Sequence, residues 1–266
     1  MKELLAIEWL KIRRFRTFWI LSGLFIVLLP LWNYEISQGV IRAGGGNKGV
    51  NFLSTQYSFP DVWNNLGWWG SIFIMFISIL VIIIITQEYS YRTNRQNIMD
   101  GWKKLQFYHA KVYLVIVLSF VVTVYFFLLG VVFGRVNSGS FTGVFDEFQH
   151  TAYFFLLTLD YLGFALLIGL FIKKTGLAIG LFILYSLIIE NLLRGMINHY
   201  TDLPWGNLLP LQASDELFPF PLLRQARAAM MAQTPSLSMT VYTCGASAWC
   251  LIYYFSCRAS LLRNDW

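Results

Sequence analysis

Apolar residues in this chain gather into six long runs, at 17–34, 68–87, 111–134, 151–172, 176–196 and 238–258. Each is long enough to cross about 30 Å of hydrocarbon as a helix. The second run contains Ile72 to Ile85, nearly unbroken and rich in β-branched residues. Its length argues for a membrane helix rather than a buried strand. Pro30 falls late in the first run, where a membrane helix tolerates a kink. Only Lys173-Lys174-Thr175 separates the fourth and fifth runs, which predicts a tight hairpin. The pattern therefore predicts an all-α integral membrane protein with six transmembrane helices in a single transmembrane domain spanning 1–266.

Between the runs, polar segments are uneven. The loop at 35–67 and the longer segment 197–237 fall on one side, and the loop 88–110 falls on the other. Placing the N-terminus inside puts fourteen of the twenty Lys and Arg residues on the inner side. That asymmetry predicts both termini in the cytoplasm. Trp32, Trp68, Trp69 and Trp205 then lie near outer boundaries, as an interfacial aromatic belt would. Lys11, Arg13, Arg14 and Arg16 precede the first run as in a secretion signal, but no small-x-small cleavage site follows. The first span is expected to remain. No polar stretch reaches 50 residues, so this chain is expected to carry no ATPase, kinase or receptor module of its own.

Composition closes off the soluble alternatives. The 266 residues are 57% hydrophobic and 13% charged, about half the charged share of a soluble domain. A net charge of +6 is read as cations on cytoplasmic loops meeting anionic lipid, not as a nucleic-acid surface. Cys244, Cys250 and Cys257 share one apolar run, lack metal-ligand spacing and read as small buried hydrophobes.

Candidate chemistry is sparse. Gly44-Gly45-Gly46-Asn47-Lys48-Gly49 resembles a phosphate loop only superficially, because Gly49 and not Ser or Thr follows Lys48. His109, His150 and His199 are scattered, and no Gly-x-Ser-x-Gly or persuasive carboxylate pair occurs. The chain is not expected to be an enzyme or to hold a cofactor or metal. The inner loop 88–110 is richer. Thr93 and Gln96 form a capping box, and Gly101 can stop a helix, so a short helix is predicted at 94–100. Ile98, Met99, Trp102 and Leu105 make it apolar, and Arg92, Arg95, Lys103 and Lys104 make it basic. Such a helix could lie on anionic headgroups or act as a lever inserted into a cytoplasmic partner.

This loop resembles the segment between the second and third spans of ABC-2-type transporter permeases, at Glu88, Thr93, Arg95, Gly101, Lys103 and Lys111. The opening, with Glu8-Trp9-Leu10-Lys11-Ile12-Arg13-Arg14, resembles the family's interfacial elbow, here 1–16. Leu5, Trp9 and Ile12 share a face of it. Two departures stand out: Arg92 occupies a common glycine position, and a frequent proline before the basic positions is absent. The short chain and basic start are loosely similar to bacitracin and lantibiotic-immunity permeases. The resemblance implies a coupling helix that docks on a separate cytosolic ATPase through Glu88, Thr93, Arg95, Gln96, Ile98, Met99, Gly101, Trp102 and Lys103. It further implies two ATPase copies holding ATP and Mg, a second permease chain as homodimer or sister subunit, and residence in the bacterial cytoplasmic membrane. The expected cargo is hydrophobic or amphipathic, a peptide or lipid-linked molecule.

A few polar residues interrupt the spans. Asp160 sits mid-span, where a charge costs roughly 2.5–3.5 kcal/mol on insertion scales, and it must be protonated, paired or turned to water or a partner. Glu190 and Arg194, one turn apart, are spaced to neutralise each other, either as an internal ion pair or as the lining of a substrate path or outer gate. Gly130 with Gly134 and Gly176 with Gly180 permit close helix packing. The outer segment 197–237 is too apolar for a free loop and predicts a re-entrant or interfacial piece, with a short helix near 222–232. Two other functions fit the same residues: a non-transporting membrane anchor or assembly factor, and an ion-coupled transporter that uses Asp160 and Glu190 as proton carriers.

Overall fold

A computed structural model describes residues 2–38, 57–91, 104–201, 203–220 and 237–263. Among these residues the chain is all-helical, with no strand. Helix α1 (Lys2–Arg13) is followed by α2 (Arg16–Ser37), α3 (Val62–Ser90), α4 (Lys104–Ser138), α5 (Gln149–Ile172) and α6 (Thr175–Tyr200). A 3₁₀ turn at Trp205–Leu208 and a single helical turn, α7 (Gln212–Asp215), precede α8 (Met239–Arg263). Helices α2 to α6 are long and apolar enough to cross a membrane. Helix α8 has the length as well, but Thr240, Thr243, Ser247 and Arg258 make it more polar than the other five.

Helices α3 and α5 form the centre. About 61% of the most apolar stretch of each is buried, against 17% for α6. They pack on each other, with α8 and α4 also against α5 and α2 against α3. Two glycines on α4 let the aromatic core close. Trp63, fully buried, lies against Gly130, and Phe59 lies against Gly134, where a Cβ would enter each ring. The predicted close approach at this glycine pair is thus of rings onto a helix. Gly176 and Gly180 have no atom of another described element within 4 Å of where a Cβ would be.

Several ends are longer than the apolar runs. Helix α3 starts at Val62 rather than 68 because Asn64 and Asn65 are buried, with Asn64 donating to the Pro219 carbonyl at 3.0 Å. Helix α4 starts at Lys104 rather than 111, since Phe107, Tyr108 and Ala110 already pack inside. Lys173, in the left-handed conformation at φ 56°, ends α5 and makes the hairpin to α6. Thr175 ties that hairpin to α3 by a 2.8 Å hydroxyl contact with Thr86. In α2, Pro30 supplies no N–H to the Ile26 carbonyl one turn before it. The Tyr125 hydroxyl of α4 donates to that carbonyl at 2.6 Å instead.

Candidate functional site

Polar side chains are buried at both ends of the bundle. At the end where α1 lies, four charged groups converge from three helices. Lys111, on α4 and fully buried, donates to Glu8 of α1 at 2.6 Å and to Glu88 of α3 at 2.7 Å. Lys11, one-third exposed, reaches Glu88 at 3.1 Å and Glu8 at 3.4 Å. Apolar contacts hold α1 in place for this. Ile12 and Phe18 pack with Leu80 and Ile84 of α3 and Leu114 of α4.

Among the described residues, two carboxylates face two ammonium groups, the kind of compensation a desolvated site requires. Burial alone would raise the Glu8 pKa, but Lys111 and then Lys11 outweigh it and hold the carboxyl below its ordinary 4.5. For Lys11, burial would lower the pKa, and Glu88 and then Glu8 outweigh it, so the ammonium is held above 10.5.

The opposite end is built by the segment after α6, which folds back against α5, α6 and α8. Glu190, fully buried on α6, accepts the backbone N–H groups of Leu211 at 2.7 Å and Gln212 at 3.1 Å. It thereby satisfies orphan donors at the start of α7. Arg194 donates to Asn207 at 2.9 Å, Gln212 at 2.7 Å and Glu216 at 2.6 Å. Tyr161 of α5 donates to the Asp215 carboxylate, 3.0 Å from each oxygen. Asp160 is fully buried beside the Ser214 and Tyr253 hydroxyls, with Cys250 Sγ at 4.0 Å from Oδ1. Its Oδ2 and the Oε2 of Glu190 have no hydrogen-bond partner among the described residues. No group of three or more metal-binding side chains occurs among those residues.

Residues 41–258 match the family described as Protein of unknown function (DUF2705), over most of the chain's length. The chain belongs to the DUF2705 family. No curated protein matches it.

In this DUF2705 protein, several sequence expectations take a different form. Glu190 and Arg194 do not pair with each other. Each is used on the segment after α6, whose amides and amide side chains are nearer than the neighbouring turn. Among the described side chains of α1, Glu8 and Ile12 are buried and Trp9 is exposed, because Lys111 draws Glu8 inward, while the Leu5 side chain lies outside those described. Glu88 lies in a buried ion pair with Lys111, and residues 203–220 of the apolar outer segment fold back against the helices. Thr93, Arg95, Gln96, Ile98, Met99, Gly101, Trp102 and Lys103, with the predicted helix at 94–100, lie outside the described residues, as do the helix near 222–232 and the glycines at 44–46 and 49. Glu8, Tyr161, Asp215 and Glu216 were not singled out by sequence. An acid beside Lys11, Arg13 and Arg14 in a mainly basic opening segment was the available signal for Glu8.

Proposed function

We propose that this protein is the membrane subunit of an ATP-driven transporter, with hydrolysis on separate cytosolic subunits that dock at 88–110. The observation that carries this reading is the buried Glu8–Lys111–Glu88 cluster. Glu88 opens the 88–110 segment and Lys111 follows it, and Glu8 belongs to the elbow, α1. A push on the segment is therefore delivered to α1, α3 and α4 together, which is what a mechanical input needs. The charge split of the loops favours a cytoplasmic site for this end. Two such chains, or one with a sister subunit, would work with two ATPases carrying ATP and Mg in a bacterial cytoplasmic membrane, with α8 as the sixth span. The cargo would be hydrophobic or amphipathic. Replacing Thr93 and Arg95 together should reduce co-purification of an ATPase, and undiminished association would sink the docking proposal.

One observation favours a second reading, ion coupling: the fully buried Asp160 Oδ2, which has no hydrogen-bond partner among the described residues. Asp160→Asn leaves transport intact under the ATP-driven reading and abolishes it if Asp160 carries protons.

A further inference from the structure

A cavity of about 320 Å³ lies between α3, α5, α6 and the segment 203–220, at the end away from α1. It opens sideways. Ile72 on α3 and Leu187 on α6 line it and are 43% and 55% exposed, on helices long and apolar enough to cross a membrane. A ligand can therefore enter from the bilayer without crossing the bundle. Its volume is at the small end of ligand sites, enough for one polar head and a short part of its chain.

The electrostatics of the lining are one-sided. Arg194 is the single Lys or Arg among the lining residues, and three of its nitrogens are already engaged by Asn207, Gln212 and Glu216. Asp215 accepts from the Tyr161 hydroxyl and forms an ion pair with no Lys or Arg among the described residues. Two lining carboxyls thus face one spent guanidinium, and the carboxyl groups of Asp160 and Glu190 stand behind them. Burial, helped by Glu190 and Glu216, pushes the Asp215 carboxyl up to about 7, so an anionic head would drive it further toward the neutral acid, whereas an ammonium beside it would stabilise its charged form. A bare metal ion is a poor fit, because no cluster of three donors is present among the described residues and the wall is aromatic. Trp68 and Phe220 have ring centroids 4.7 Å apart on that wall. Aromatic faces beside carboxylates are the surroundings in which an organic ammonium group is held.

We propose that this cavity binds the ammonium head of an amphipathic amine, with Asp215 as its counter-charge, Trp68 and Phe220 against its first methylenes, and the tail leaving toward lipid between Ile72 and Leu187. The site stands apart from ATP coupling, and only the step of calling its ligand a cargo rests on the transporter reading. Binding is measured on the purified chain without an ATPase, so failure of the site and failure of the transporter reading are separable.

The probe is n-octylammonium, titrated into protein in maltoside micelles and followed by the part of tryptophan emission that Trp68→Phe removes. Octylammonium should saturate at a concentration at least about tenfold lower than n-octanol, and octanoate should not compete. Asp215→Asn, which keeps an acceptor for Tyr161, should bring amine and alcohol to within about threefold of each other. Ile72→Trp, placed at the mouth, should abolish the response to both while leaving the melting temperature unchanged. Equal affinity for amine and alcohol in the parent protein overturns the proposal, as does unchanged selectivity in Asp215→Asn. Amine binding that appears only when Arg224 and Arg227 are both replaced by Gln would assign the site to the chain's own next segment, which also overturns it. Displacement of the probe by dioctanoyl phosphatidylethanolamine places the ammonium on a lipid head. Absence of displacement places it on a free amphipath, and the ammonium site stands in either case.

Discussion

Lys111→Met is the most informative single change in the charge cluster. The Lys111 ammonium is fully buried, Glu8 is 1% exposed, and the two contacts measure 2.6 and 2.7 Å. Removing one partner from such a pair costs about 3–5 kcal/mol, because the remaining charge is left in a poorly solvating site. Here two carboxylates would be left, which pushes the cost up. Lys11 still reaches both, at 3.1 and 3.4 Å, which pushes it down. The lower end, about 3 kcal/mol, is the expected value, and it corresponds to a fall in melting temperature of about 6–12 °C at 2–4 °C per kcal/mol. The sharper test is the triple variant Lys111→Met, Glu8→Gln, Glu88→Gln. It removes the stranded charges as well, so it should recover most of the loss despite carrying more substitutions. Thermal unfolding in maltoside, followed by tryptophan emission and checked by size-exclusion recovery, measures both. A fall below about 2 °C for the single variant, or a triple variant no more stable than the single, would refute the reasoning.

Three further outcomes follow from other contacts. With the Glu8 pKa held below 4.5, its contribution is complete above pH 4.5 and is lost as pH falls through the lower folded value, and Lys11, held above 10.5, contributes fully below pH 10.5 and loses that as pH rises. The contribution of Glu8 and Lys11 to the melting temperature should therefore be flat between those limits, with the acid limb reduced in Glu8→Gln. Glu190→Ala strands the Leu211 and Gln212 amides at about 1–3 kcal/mol each, whereas Glu190→Gln keeps an acceptor, so hydrogen exchange at those two amides should speed up only in the alanine variant. Gly130→Val pushes against the fully buried Trp63 and should cost about 1–3 kcal/mol, read as a lower melting temperature, while Gly180→Val meets open space and should cost little.

The helices were legible in the sequence because hydrocarbon imposes a length and a composition on anything that crosses it. Their ends were less so. Asn64, Asn65 and Lys111 look like boundaries by polarity, yet all three are buried, and Asn64 and Lys111 bond to partners far along the chain. The same cause hid much of the candidate site. Glu190 and Arg194 were marked as important by their place in an apolar run, but local spacing suggested a pair. What they hold is the backbone and side chains of residues 207–216, a choice fixed by tertiary folding. Asp215 carried no signal at all, because an acid in a loop is ordinary until the loop folds inward.

The proline in α2 gives the bundle an address. An uninterrupted helix offers no free carbonyl along its middle, so neighbours can slide past one another with little to mark one register from the next. Pro30 releases a single mid-helix acceptor, on Ile26, and Tyr125 occupies it. In a helix apolar enough to cross a membrane, no water waits to replace that hydroxyl if the helices shift within hydrocarbon. The contact therefore works as a detent: α2 and α4 meet at one setting along their length, and any working motion must either carry the two helices as a pair or give up that bond as its threshold.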